Sequence, residues 1–134
     1  MATEMGLNSD AQDVAASQAG RAVNYKATWV INDTDNHDFM FRGSGKGSFT
    51  ALVDIATSDQ TVTYSIYGAH ATDSDIGDTG VIQIGSSGSV TDGEDVEAVT
   101  VTDTWYPYYL MRLVSAGAAT GSPTCTVYVN FAAY

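Results

Sequence analysis

The sequence predicts an all-β fold: an antiparallel β-sandwich or jelly roll of about eight short strands, preceded by an extended N-terminal arm. Three observations carry this. From Tyr25 onward apolar residues recur every second position. Val62, Tyr64 and Ile66 alternate with Thr61, Thr63 and Ser65, and Cys125, Val127, Val129 and Phe131 alternate with Thr124, Thr126, Tyr128 and Asn130. Residues two apart share one face of a strand, so each run buries one face and wets the other. Second, Gly/Asp/Ser clusters separate the runs, and no stretch from Tyr25 onward has helical periodicity. Third, the acids are nearly all Asp, with Glu only at Glu4, Glu94 and Glu97. Asp bonds to its own backbone in turns, whereas Glu favours helices.

Residues 1–24 read as a separate arm, rich in Ala, Gln, Asp and Gly, with Met1, Met5, Leu7, Val14 and Val23 as scattered apolar residues. Asn8 or Ser9 can cap a short helix through Asp10–Ala19, marginal on its own. The arm is either frayed or ordered on a neighbouring subunit. The domain, residues 25–134, has predicted strands near Tyr25–Ile31, Asp38–Arg42, Ser48–Ile55, Thr61–Tyr67, Val81–Ile84, Ala98–Thr102, Tyr108–Val114 and Thr124–Phe131. Tyr25, Ala27, Trp29 and Ile31 share a face, as do Phe49, Ala51, Val53 and Ile55. With Tyr64, Ile66 and the Cys125–Phe131 face they are the candidate core. Gly68 to Gly80 and Gly85 to Asp95 read as long polar loops, where binding residues of rigid sandwiches usually sit. Gly117 to Pro123 is a small-residue connection.

At 134 residues the chain is of single-domain length and long enough for its own core. Its net charge of −11 repels phosphate backbones and anionic lipid, and Arg21, Lys26, Arg42, Lys46 and Arg112 form no basic cluster. No nucleic acid and no membrane is expected as a partner. The charge suits either a basic protein surface or simple solubility. Cys125 is the only cysteine and falls in phase with Val127 and Val129, as a small buried apolar residue does. The first residues carry neither a basic nor an apolar leader region, so a classical signal peptide is not expected.

Motifs that would carry chemistry fail on spacing. Gly43-Ser44-Gly45-Lys46-Gly47-Ser48 has Met40 where a phosphate loop needs Gly, and Gly47 where it needs Ser or Thr. It reads as a hairpin turn. Asp33, Asp35, His37 and Asp38, and Asp73, Asp75 and Asp78, are acidic clusters that match no EF-hand and read as solvated turns. His37 and His70 lack the companions of a zinc site. Gly85-Ser86-Ser87-Gly88-Ser89 ends in Ser where a nucleophile elbow needs Gly. The chain therefore reads as a non-enzyme, with no cofactor and no metal.

Trp105-Tyr106-Pro107-Tyr108-Tyr109 is the most distinctive string. Such residues form core, protein interface or sugar-stacking platform, because their rings are apolar and their edges polar. Leu110–Val114 carries apolar residues on both faces, with Arg112 among them. A strand of that kind is either covered or packed on another subunit.

In overall character, from the Asp/Gly-rich loops to the W-Y-P-Y-Y-L-M-R-L-V string and the T-V-Y-V-N-F ending, the chain resembles auxiliary virion proteins of tailed bacteriophages. The capsid decoration (cement) type is the nearest in character. The resemblance implies a structural protein, often a homotrimer, that is made in the host cytoplasm and sits on the capsid exterior. Its implied partner is the major capsid protein, whose assembled shell it stabilises by binding only that state. On this reading the contacts fall to Leu7 and Val14 in the arm and to Trp105, Tyr106, Tyr108, Tyr109 and Arg112. Deleting residues 2–20 is expected to weaken particle binding and leave the fold intact. The alternative is a carbohydrate- or receptor-binding sandwich of a fibre or tail.

Overall fold

The computed structural model describes residues 2–7, 23–43, 47–90, 93–102 and 104–131. Among them are ten strands and no helix: β1 (Thr3–Glu4), β2 (Gly6–Leu7), β3 (Val23–Val30), β4 (His37–Arg42), β5 (Phe49–Ser58), β6 (Val62–Ala69), β7 (Ile82–Val90), β8 (Gly93–Val101), β9 (Tyr108–Ser115) and β10 (Thr124–Phe131). They form two sheets, ordered β1-β4-β9-β6-β7 and β2-β3-β10-β5-β8. Among the eight long strands, first pairs with last (β3–β10), second with seventh (β4–β9), third with sixth (β5–β8) and fourth with fifth (β6–β7), all antiparallel. One long hairpin has thus been rolled on itself, closed across the roll by β5–β10 and β6–β9. That is a jelly roll.

The alternation read from sequence faces inward as expected. Tyr25, Trp29, Ile31, Phe49, Ala51, Val53, Ile55, Tyr64, Ile66 and the Cys125–Phe131 face are buried in one core. At one end of the roll that core is aromatic. Phe41 stacks on Tyr109 at 5.4 Å, Phe49 meets Tyr109 edge-on at 4.9 Å, and Phe49 lies tilted against Phe131 at 5.2 Å. Apolar area removed from water is the main stabiliser, and edge-on rings add to it.

The two-sided apolar character of β9 has an intramolecular cause. Tyr109, Met111 and Leu113 enter the main core, while Leu110 forms a second cluster with Met40 and Ala69 on the outside of its sheet. Ile76 and Val81 from the β6–β7 connection pack over that cluster, with Tyr67, Tyr108 and Ala2. The predicted polar loop is a cover for β9.

Residues 2–7, in an arm that the sequence left either frayed or ordered on a neighbouring subunit, pair within their own chain. β1 runs parallel to β4, pairing Thr3 with Phe39 and Glu4 with Met40, and β2 runs antiparallel to β3, pairing Gly6 with Lys26 and Leu7 with Tyr25. Between them the chain crosses from one sheet to the other. The Met5 N–H donates to the Met40 carbonyl at 2.7 Å, and the Met5 side chain is in the core, 3% exposed. This segment is a clasp over one open side of the sandwich. A deletion spanning residues 2–20 removes core, so the expectation that it spares the fold is corrected. The helix proposed at Asp10–Ala19 lies outside the described residues.

One loop is also corrected. Gly85 to Asp95 is not a loop through most of its length: β7 continues to Val90 and β8 starts at Gly93. Opposite Ser65, β7 bulges through Gly85, Ser86 and Ser87, with Gly85 at φ 70°. Glycine takes that conformation without a Cβ clash.

Candidate functional site

The β4–β5, β6–β7 and β8–β9 connections meet at the aromatic end of the roll. Tyr109 organises that meeting. Its ring is fully buried, but its hydroxyl accepts the Tyr106 N–H at 3.2 Å and is hydrogen-bonded to the Thr104 hydroxyl at 2.9 Å. Backbone bonds complete the anchorage: Thr104 N–H to the Gly47 carbonyl at 3.0 Å, and Gly43 N–H to the Pro107 carbonyl at 2.8 Å.

Three glycines seat the segment. A Cβ on Gly43 would overlap the Tyr106 carbonyl oxygen, one on Gly68 would come within 2.5 Å of the Tyr106 ring, and one on Gly47 would overlap the Trp105 indole. The Tyr106 ring therefore lies on bare backbone, packed partly against the core, with His70 at 5.5 Å. The indole of Trp105 lies on Gly47 and is 69% exposed, the most exposed of the large apolar side chains among the described residues. One face is held and the rest meets solvent. An aromatic ring presented on a fixed loop loses little entropy when it binds.

The sequence-named contact residues divide accordingly. Trp105 is at the surface. Tyr106 is half-buried. Tyr108 is half-buried beside Arg42, whose guanidinium lies 5.5 Å from the ring centre and whose Nε bonds Glu4 at 3.0 Å. Tyr109 has no exposed surface and is core, so its place among the contacts is corrected: position 109 of β9 points inward. Arg112 is on the outer face, bound bidentately to Asp38 at 2.7 and 2.9 Å, which holds the guanidinium pKa above its ordinary value. Leu7 is 62% exposed at the end of β2, opposite Tyr25. Val14 lies outside the described residues.

In the first acidic cluster the side chains of Asp33, His37 and Asp38 are engaged in internal bonds. Asp33 accepts from the Asp35 N–H at 3.1 Å and lies 2.8 Å from the His37 ring nitrogen. The His37 bond, then the Asp35 N–H, hold the Asp33 carboxyl below its ordinary pKa. His37 also stacks on Trp29 at 4.5 Å, while Asp38 faces Arg112. In the second cluster, the Asp75 N–H donates to the Asp78 carboxylate at 2.8 Å, closing a turn. Among the described residues no three His, Cys, Asp or Glu side chains converge as a metal site.

The side of the sandwich opposite the clasp stays open. Between β7 and β8 lies a cleft of about 220 Å³, lined by Tyr64, Ile66, Ile84, Val99, Val101 and Thr102 among others. Sequence reading missed this cleft and the glycine seats, for glycines in turn-like strings read as turns whatever rests on them.

No family model and no curated protein matches the sequence. Solved structures do share its fold. The surface-associated copper-binding protein CorA of Methylomicrobium album BG8 superposes with a TM-score of 0.57 at 11% identity, covering 96% of this chain and 97% of that one. PirA does so at 0.53 and 11%, covering 78% and 92%. A chain from the disulfide-linked pili of Bacillus endospore appendages does so at 0.50 and 12%, covering 87% and 93%. At such identity the likeness is one of fold: the chain is a β-sandwich of a kind that also serves surface and assembly proteins.

Proposed function

We propose that this chain is a non-catalytic attachment module, a decoration (cement) protein that docks on the exterior of an assembled phage head and stabilises it. The observation that carries the reading is Trp105, a large apolar ring fixed on Gly47 with its free face in solvent. Interfaces are anchored by such rings, which bury much area at little entropic cost. The partner on this reading is the major capsid protein, and a homotrimer would present three Trp105 ends around one axis. The acidic remainder of the surface favours a basic docking patch and repels off-target contact between copies. The fold's use in Bacillus appendages is compatible with an assembly role. Disulfide linkage of that type does not transfer, because Cys125 is buried.

Quantitative mass spectrometry of particles purified from the source of this gene tests the reading. Copies in simple ratio to the major shell protein support it, and absence from the particle sinks it. In the supporting case Trp105→Ala should lower occupancy at unchanged melting temperature.

One observation favours a second reading, a carbohydrate-binding module of a fibre or tail: a flat indole open on one face is also what a sugar ring stacks on. Trp29 is buried, so a fluorescence change on adding glycans would report Trp105. A saturable change lost in Trp105→Ala would favour this reading over head decoration.

A further inference from the structure

We infer that residues 2–7 are an exchangeable clasp, and that the strip they occupy along β3 and β4 accepts the same segment from a second copy of this chain. The inference is independent of what the Trp105 end binds.

Chain length is the first argument. Leu7 lies beside Tyr25 in an antiparallel pair, a geometry that a hairpin closes with two to five residues. Here fifteen residues, 8–22, stand between β2 and β3. Fully extended, they reach up to about 50 Å at roughly 3.3 Å per residue. That far exceeds what the internal connection needs, and leaves length with which a segment can reach beyond its own chain.

The second argument is the character of the contacts. Among the described residues, the hydrogen bonds, ion pair and apolar contacts of the clasp join residues 2–7 to the strands they lie on. The Met5 N–H bonds the Met40 carbonyl and Glu4 bonds Arg42. Met5 enters the core, and Ala2 covers Met40 and Leu110. A clasp donated by another copy would therefore remake each of them. Exchange then changes only the connectivity, and its equilibrium is a competition of concentrations. A linker of this length gives its own clasp an effective concentration on the order of millimolar. Dilute protein keeps its clasp in cis, and copies packed side by side are in the range where clasps exchange.

Disulfide trapping tests this. Gly6 and Lys26 are directly opposed; a Cβ at Gly6 meets nothing within 4 Å, and Lys26 is exposed. The double variant Gly6→Cys/Lys26→Cys, oxidised dilute, should form an internal disulfide, which fixes the geometry as linkable. The two single variants, mixed at about 1 mM and mildly oxidised, should then give a heterodimer joined at 6 and 26, mapped by peptide mass spectrometry. Gly6→Cys mixed with Thr63→Cys, an exposed position on β6, controls for random collision and should give none. A mixture with no more heterodimer than that control, while the double variant closes internally, overturns the exchange. Failure of the double variant to close overturns the clasp pairing itself.

Discussion

The indole of Trp105 rests on Gly47, where a Cβ would overlap its ring atoms Cζ2 and Cε2. Gly47→Ala should therefore unseat the ring while touching no core residue. The expected outcome is a partner or particle affinity lowered as far as in Trp105→Ala, with a stability change within about 1 kcal/mol. Co-sedimentation with particles and urea denaturation read the two effects separately. Full binding by Gly47→Ala would mean that the fixed orientation of the indole is irrelevant.

Tyr109 holds the same segment from inside. Tyr109→Phe keeps the ring stacked on Phe41 but leaves the Tyr106 N–H and the Thr104 hydroxyl without their partner. The expected cost is about 1–2 kcal/mol by urea denaturation, since a half-buried donor loses its acceptor. Amide hydrogen exchange should quicken at Tyr106 and leave β9 protected. Uniform quickening across β9 would instead mark the hydroxyl as part of the core.

These two residues also mark what could be read without coordinates. The inward alternation of β3, β5 and β10 is legible because their apolar residues face the core and their polar ones are wetter, and in β6 Val62, Tyr64 and Ile66 keep the same period although its other face is covered too. Of β7 only the start, read as a strand at Val81–Ile84, is legible; the rest is not, because this bulged edge strand is largely wet on both faces and is held by its ladder to β6, leaving no period to see. Leu110 left two readings open, a covered strand or a subunit contact. Only the fold of residues 70–81 decides it, by placing Ile76 and Val81 on top. Trp105 was legible as a candidate but not as the exposed member of its string. That depends on Gly43, Gly47 and Gly68, which are far apart in sequence and whose missing side chains are the site's geometry.

Asp59 ties the β5–β6 turn to the β9–β10 connection. Its carboxylate accepts from the Thr120 hydroxyl at 2.7 Å and the Thr120 N–H at 3.1 Å. The hydroxyl bond first, then the backbone bond, hold its pKa below the ordinary 3.8. With the folded value depressed, unfolding takes up a proton in acid. The stabilisation is complete above the unfolded value and is lost as pH falls through the folded one. In a series of melting curves, wild type should exceed Asp59→Asn by a constant margin above about pH 5. The margin should close as pH drops below 3.8. A gap that persists in strong acid would contradict this assignment.

Cys125 is fully buried, and burial pushes its thiol pKa up to about 12. Because the thiolate is the nucleophile, the native protein should resist thiol reagents at pH 8. Labelling should require global opening, since β10 lies between β3 and β5 in the middle of its sheet. The urea dependence of the labelling rate should then match the slope of equilibrium unfolding. Rapid labelling without urea dependence would show that β10 opens locally.

Met5 is the one clasp side chain in the main core, 3% exposed between the two sheets. Met5→Ala leaves β1 and β2 their backbone pairing but opens a void, at an expected cost of about 2–4 kcal/mol in urea denaturation. Met5→Leu, nearly volume-conserving, should cost less than about 1.5 kcal/mol. Glu4→Gln, which weakens only the exposed bond to Arg42, should change stability by no more than about 1 kcal/mol. That ranking separates a clasp held by its buried side chain from one held by surface charge. If Glu4→Gln proved more destabilising than Met5→Ala, the segment would be a surface strap, and removing it would leave the core of the jelly roll intact.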